Sequence, residues 1–488
     1  MKTVKNIIHK YQKIPVAAKA GMWFAFCAMM QKCISFLTVP IFTRIMPADQ
    51  YGIYGTCLSW HSILSIFCTL NLHNVIYVNN YTKAGDEKQK NKAAIPLLSL
   101  SFVITISVFL FYILFSKWLN GFIGLPSALV LLLFAQIIFE PPINFWTAKQ
   151  RFDYNYISLV VRTIIMVLLN TGLGILFVCI ADSDEAIARA FSLVIVQALF
   201  GILFYLYFWK RAKSFFSTEG WKHALGVHIP LLPHSLSLTV LSSSDKIMIT
   251  NLVGAVESGI YGVAYSAGYI VNVLKTSIVD ALRPWIYQQI KKERYDNIKK
   301  TANVVLIVVT MISVLFTAFA PEVIKLMAPS KYYEAIYVVP PVAASSYFTF
   351  LYNIFSVVGM YFEKTKKIMI ASVSGAVMNI VLNVVFIPVF GYIAAAYTTL
   401  VCYIFFSIAH YLIMRSICKE KLEGLQIFDM RFVVLMSFLT LAICFFFTFT
   451  YKYMIIRFGV IGLVIIVAFI KRKTFMATFN VLKNRSKG

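Results

Sequence analysis

The sequence predicts an all-α integral membrane protein of about fourteen transmembrane helices. These form two parallel six-helix repeats followed by two further helices, with both termini cytoplasmic. Three observations predict it. Of the 488 residues, 60% are hydrophobic and only 13% charged, more apolar surface than a soluble chain of this length carries. Apolar runs long enough to cross a bilayer recur along the chain,. Lys and Arg alternate between rich and poor connections,.

Helices are preferred to a β-barrel because the runs are long and continuous rather than short and alternating. A crossing needs ~20 mostly apolar residues. By that rule the spans are 20–44, 53–78, 93–115, 122–146, 157–180 and 187–209 in the first half. In the second half they are 225–250, 259–286, 302–327, 335–361, 368–388 and 392–414, and 431–450 and 454–470 follow. The N-terminus, MKTVKNIIHKYQK, is basic like a signal peptide, but the run after it is long enough to span and is read as a retained first helix,. The domain reading is a basic cytoplasmic N-terminus (1–19), a six-helix half (20–209) and a cytoplasmic linker (210–224). A second half (225–414), two added helices (431–470) and a basic cytoplasmic tail (471–488) complete it.

Alternate connections orient the chain. One set holds 33 Lys and Arg, and the opposite set holds Arg44, Lys117, Arg189, Lys331, Lys452 and Arg457. The basic set is therefore cytoplasmic. This accounts for most of the net charge of +25 without invoking nucleic acid. It also makes the cytoplasmic rim a collar suited to anionic phospholipids.

Residues 47–55 read PADQYGIYG and residues 254–262 read GAVESGIYG, 207 positions apart. Each is expected in the outer loop after the first helix of its half. An even number of helices separates them, so both halves have the same orientation, with a substrate site expected between them.

Several stretches resemble bacterial polysaccharide and O-antigen flippases. VPIFTRIMPADQYGIYG (39–55) is similar to the end of their first helix and first outer loop. LPHSLSLTVLSSSDKIMITNLVGAVESGIYGVAYSAG (232–268) is similar to their seventh and eighth helices. FGYIAAAYTTLVCYI (390–404) resembles their twelfth helix, and AKQRFDYNY (148–156) one of their loops. The resemblance implies the multidrug/oligosaccharidyl-lipid/polysaccharide exporter fold. It also implies flipping of an undecaprenyl-diphosphate-linked oligosaccharide, such as an O-antigen or capsule unit, from the cytoplasmic to the outer leaflet of a bacterial inner membrane. Polymerase and chain-length proteins of the same pathway would then be partners.

Charged side chains inside a bilayer are costly and mark cavities or structural pairs. Lys32 and Lys275 fall near mid-membrane and are candidate contacts for an anionic substrate; the alternative is that each is paired with a carboxylate. Arg283 shares a face with Lys275, and Asp280 three residues earlier offers it a structural partner. Arg44 sits at the outer end of the first helix. Tyr261, Tyr265 and Tyr269 recur every four residues, a stripe that suits either sugar rings or packing. Arg162 reads as an interfacial anchor.

The seventh helix is polar, and Pro230 and Pro233 are expected to kink or break it. On it His234 and Asp245 are eleven residues apart, nearly in line, and could carry a coupling proton or sodium ion; the alternative is a packing seam. Glu140, before Pro141 and Pro142, is another intramembrane acid of the same kind. No other cofactor and no metal motif is implied, and the eight cysteines read as small apolar residues.

Enzyme readings are poorly supported. No phosphate-binding loop of the G-x-x-x-x-G-K-[ST] type is present,. Asp182-Ser183-Asp184 mimics a glycosyltransferase motif but falls in an outer loop. A polymerase would need a larger outer loop than the ten or so residues available. A multidrug antiporter of the same fold is the alternative transporter, and would favour acids rather than lysines in its cavity.

Overall fold

A computed structural model of the chain describes residues 14–74, 76–83, 93–212 and 215–483. The expectations for the basic stretches 1–13, 84–92, 213–214 and 484–488 fall outside the described residues. Every regular element among the described residues is helical. That suits a lipid environment, where a helix alone satisfies its own backbone hydrogen bonds.

The chain divides into two compact units, Met1–Leu236 and Ser237–Gly488. The first holds α1 (Val16–Ile45), α2 (Ala48–Thr69), the short α3 (Ile76–Lys83), α4 (Ile95–Ile123), α5 (Ser127–Phe152), α6 (Tyr156–Ile180), α7 (Glu185–Ala212) and α8 (Thr218–His228). Helix α9 (Leu232–Leu252) begins in the first unit and continues into the second. The second unit then runs through α10 (Ala255–Lys291), α11 (Tyr295–Ala318), the short α12 (Ala320–Met327) and a 3-10 turn (Ser330–Tyr337). It continues with α13 (Val339–Tyr361), α14 (Thr365–Phe390), α15 (Ile393–Lys421), α16 (Met430–Thr450), α17 (Met454–Ile470) and α18 (Arg472–Lys483).

Ten of these helices are long and apolar enough to cross a membrane, or twelve if α8–α9 and α17–α18 each count as one bent span. The two other helices of spanning length, α2 with 22 residues and α10 with 37, fall short of that length and apolarity test. The apolar surface is turned outward, with Leu114 79%, Phe449 81% and Ile455 88% exposed, as lipid-facing residues are.

Inside the first unit, Trp146 of α5 stacks on Phe204 of α7 with ring centroids 4.4 Å apart. Gly201 lets the same two helices close up: a Cβ there would lie 2.5 Å from the Phe139 carbonyl oxygen. In the second unit, Trp285, Leu306, Tyr347, Phe355 and Phe428 belong to one buried cluster drawn from α10, α11, α13 and the approach to α16.

The seventh span is broken as expected, with α8 and α9 bent by 57°; Pro230 and Pro233 stand at the break, where a missing N–H and a clashing ring forbid a continuous helix. Three details depart from the sequence expectation. The 210–224 linker is helical from Thr218 onward. The ninth segment ends at Ala318, and Ala320–Met327 is a separate helix. Neither copy of the repeated motif is a loop: Ala48–Gly55 and Ala255–Gly262 are the first turns of α2 and α10. Pro47 and Gly254 are the preceding caps, and the small residues that suggested a turn instead let a helix start close to its neighbours.

Candidate functional site

The most elaborate polar cluster centres on Asp245 of α9, which is only 2% exposed. Tyr261 and Tyr265 of α10 both donate to its Oδ2, Tyr265 at 3.3 Å. Thr399 of α15 donates to Oδ2 at 2.8 Å, and Asn383 of α14 to Oδ1 at 2.8 Å. Asn379, one turn earlier on α14, reaches Oδ1 at 3.5 Å. A second ring of bonds orients these donors. Asn379 accepts from Ser244 at 3.0 Å and donates to Thr399 at 3.0 Å, while Thr398 donates to Asn383. Four helices thus converge on one carboxylate. Uncharged donors stand where a buried charge would otherwise demand an ion pair. The carboxylate, amide and hydroxyl oxygens are hard donors of the type that sodium takes, and the carboxylate alone would take a proton.

Beside this node lies a cavity of about 470 Å³, lined by residues of α9, α10, α13 and α15. Its walls combine the rings of Tyr265, Tyr269, Tyr352 and Tyr403 with the amides of Asn272 and Asn353 and several hydroxyls. Tyr352 and Tyr403 lie parallel, with centroids 6.3 Å apart and planes 7° from coplanar. Lys275 also lines it and is 7% exposed. Among the described residues no carboxylate pairs with it. A buried ammonium without a counter-ion costs several kcal/mol, so Lys275 sits there either neutral or met by water or an anion in the cavity.

The tyrosine stripe divides by depth. Tyr261 is fully buried against Asp245, Tyr265 touches both Asp245 and the cavity, and Tyr269 belongs to the cavity alone and is 40% exposed. His234 stands half-buried in the first turn of α9 and is not among the partners of Asp245, so the structure does not join the two. Arg283 leaves its Nε without a partner, and the Asp280–Arg283 pair is not formed among the described residues, Asp280 being exposed.

The first unit holds the other candidates. Lys32 is half-buried in α1, but Gln31 beside it is what lines that unit's cavity of about 320 Å³. Arg44 is exposed and donates to the Pro40 carbonyl of its own helix at 2.7 Å. Glu140 accepts from Ser65 at 3.1 Å and Asn144 at 3.2 Å, with His61 Nε2 3.2 Å away. Arg162 is exposed, and its guanidinium lies 4.7 Å over the Trp146 ring.

Two arginines counted with the outer loops prove to be buried. Arg457 pairs with Glu322 at 2.7 Å. Arg189 of α7 donates to the side chain of Asn170 at 2.8 Å and to Ser192 at 3.1 Å. It also stands over Phe42 at 4.5 Å and Tyr54 at 5.5 Å. Tyr54 is the repeat counterpart of Tyr261, so the same tyrosine faces a guanidinium in one unit and a carboxylate in the other.

Residues 17–290 match the family described as polysaccharide biosynthesis protein. The chain belongs to that family. Residues 230–385 also match the MatE family. No curated protein matches the chain. Among solved structures, the lipid II flippase MurJ in an inward closed conformation superposes with a TM-score of 0.66 at 13% identity, covering 93% of this chain and 100% of that one. An inward-facing multidrug resistance MATE transporter of the MOP superfamily gives 0.62 at 15%, covering 82% and 99%. An outward-facing transporter of that family gives 0.51 at 13%, covering 84% and 98%. At these identities the likeness is one of fold. This polysaccharide biosynthesis family member therefore has the fold of MOP-superfamily flippases and transporters.

Sequence reasoning missed Asn379, Asn383, Thr398 and Thr399. The signal was available: two asparagines four apart share a helix face, and residues 375–390 of α14 are otherwise apolar,. Their partner could not be read, because Asp245 lies 134 and 138 positions away.

Proposed function

We propose that the protein is a flippase that moves an undecaprenyl-diphosphate-linked oligosaccharide from the cytoplasmic to the outer leaflet of a bacterial inner membrane. It works by alternating access, with both termini cytoplasmic, and a proton or sodium gradient drives it through Asp245. The observation that carries the reading is the unpaired Lys275 in a cavity of tyrosines, amides and hydroxyls. An ammonium in a dry setting matches a diphosphate, and flat rings beside fixed donors and acceptors match sugars. A flexible point charge also binds loosely enough to release its ligand. The multidrug antiporter reading fits less well, because the cavity lining contains no acid. Anionic phospholipids at the cytoplasmic rim, and the polymerase and chain-length proteins of the pathway, are proposed partners.

The test is made in cells. Deletion should remove the surface glycan and accumulate its lipid-linked precursor. Lys275→Ala should lower export at normal membrane abundance, and Lys275→Glu should abolish it. Lys32→Ala should have the smaller effect, since that residue lines no described cavity. Full export in Lys275→Glu at normal abundance would overturn the reading.

A further inference from the structure

We infer that the cavity between the first turns of α11 and α16 binds a phospholipid with an anionic, hydroxyl-bearing head of the phosphoglycerol type. The inference needs the membrane fold but not the transport reading, and it gives the phospholipid partner proposed above a defined seat. The cavity measures about 690 Å³ and is lined by residues of both helices and of the segment that leads into α16. Both helices are long and apolar enough to span, so their first turns lie where lipid headgroups lie. The two also meet deeper in the unit, where the Thr310 and Thr440 hydroxyls share a hydrogen bond of 3.0 Å.

The charges of this cavity are unequally committed. Of its two carboxylates, Asp296 pairs with Lys299 at 3.4 Å, and Asp429 caps α16 by accepting from the Phe432 N–H at 3.2 Å. Lys300 and Arg431 line the same space, and among the described residues neither has an ion pair or a hydrogen bond. Two cations are thus left over beside the N-terminal ends of two helices, whose dipoles favour the same sign of ligand. That combination asks for a phosphate. An ethanolamine head would bring an ammonium as well, and would find both carboxylates engaged. Asn303 Oδ1 is buried at the cavity without a partner, and the Gln426 amide stands on the same wall. Such amides are satisfied by hydroxyls, which a glycerol head supplies.

The lipid-facing side of α16 selects a lipid over a free phosphate ester. Arg431 is followed on its own helix face by Val434, Leu435 and Phe438,. These three are 62%, 53% and 68% exposed. A guanidinium at the head of an exposed apolar stripe matches a single amphiphile, with its phosphate at the top and its acyl chains below.

The test is a binding measurement on the full chain in detergent, with dioctanoyl phosphatidylglycerol as the probe and native mass spectrometry reading affinity and stoichiometry. One equivalent should bind more tightly than any further ones. Lys300→Gln/Arg431→Gln should weaken that equivalent by about 10-fold or more, with the lipid-free Tm unchanged. Lys366→Gln/Lys419→Gln removes two charges from exposed residues outside the cavity and should leave the affinity within about 2-fold. Dioctanoyl phosphatidylmethanol, equally charged but without head hydroxyls, should bind about 3-fold or more weakly than the probe, and Asn303→Ala should erase that difference. Unchanged affinity in Lys300→Gln/Arg431→Gln overturns the site. Equal weakening in the two double variants also overturns it, since attraction would then come from basic charge in general. Glycerophosphoglycerol binding as tightly as the probe would make this a site for a soluble phosphate ester and overturns the lipid. Equal binding of dioctanoyl phosphatidylethanolamine or phosphatidylmethanol overturns the assignment of the head. None of these outcomes touches Asp245 or Lys275, so the flippase reading stands or falls on its own test.

Discussion

At the scale of single residues, the second unit separates two electrostatic problems that the sequence only set side by side. Asp245 is a buried acid with its hydrogen-bond donors already in place, whereas Lys275 is a buried base with no partner among the described residues. On the proposed reading the first exchanges a cation and the second meets an anion. Asp245→Asn keeps the shape and removes the charge. It should leave a folded protein at normal abundance whose export no longer responds to an imposed proton or sodium gradient. Export assayed in inverted vesicles checks this, and an unchanged gradient response would remove Asp245 from the coupling. Asp245 and Lys275 were legible in the sequence because charge in an apolar run is conspicuous. Asn379, Asn383 and Thr399 were not, because an amide or hydroxyl within a helix is ambiguous until its partner is known. His234 illustrates the opposite error: helical phase placed it on Asp245's face, but eleven residues of rise, ~16 Å, separate the two along the axis.

At the scale of helices, apolarity set most boundaries well, and the misses have local causes. Proline chemistry broke the α8–α9 span as expected. The repeated motif was misplaced because Gly, Asp and Pro signal turns and helix starts alike. Contacts between helices were the least legible feature. Lys149 of α5 bonds Asp153 at 2.6 Å and Tyr81 of α3 at 2.9 Å, and Tyr81 in turn bonds Asp153 at 2.7 Å. Sequence reading had treated that stretch as an ordinary basic loop. The close approach of α5 and α7 at Gly201 leads to a stability prediction. A methyl there meets a backbone carbonyl, which cannot rotate away as a side chain can. Gly201→Ala should therefore destabilise the first unit by about 1–3 kcal/mol, read as a lower Tm in detergent. Gly172→Ala, where a Cβ meets open space, should leave Tm unchanged or slightly raised.

At the scale of the whole chain, the expected orientation rests on where the positive charges lie. Burial takes Arg189 and Arg457 out of the outer count and Lys149 out of the inner one, so the asymmetry of that count stands,. Cysteine probes at Asn120, Ser183 and Tyr333 should react with a reagent confined to the outside, and a probe at Lys292 should not. Gln89, the other inner probe position, lies outside the described residues and should also stay unlabelled. Outside labelling at Lys292 would invert the orientation and with it the direction of transport.

The tyrosine pair Tyr54 and Tyr261 bears on how such a chain could have arisen. Their surroundings have opposite charge, Arg189 in one unit and Asp245 in the other. A transporter assembled from two identical half-length subunits could not carry that difference, since every substitution would appear on both sides of its symmetry axis. Once the two halves are distinct sequences, as in this polypeptide, one copy can hold a guanidinium beside its tyrosine while the other holds a carboxylate. On this view the charge asymmetry postdates duplication, and a half-length homodimeric ancestor would have carried the same group beside both tyrosines.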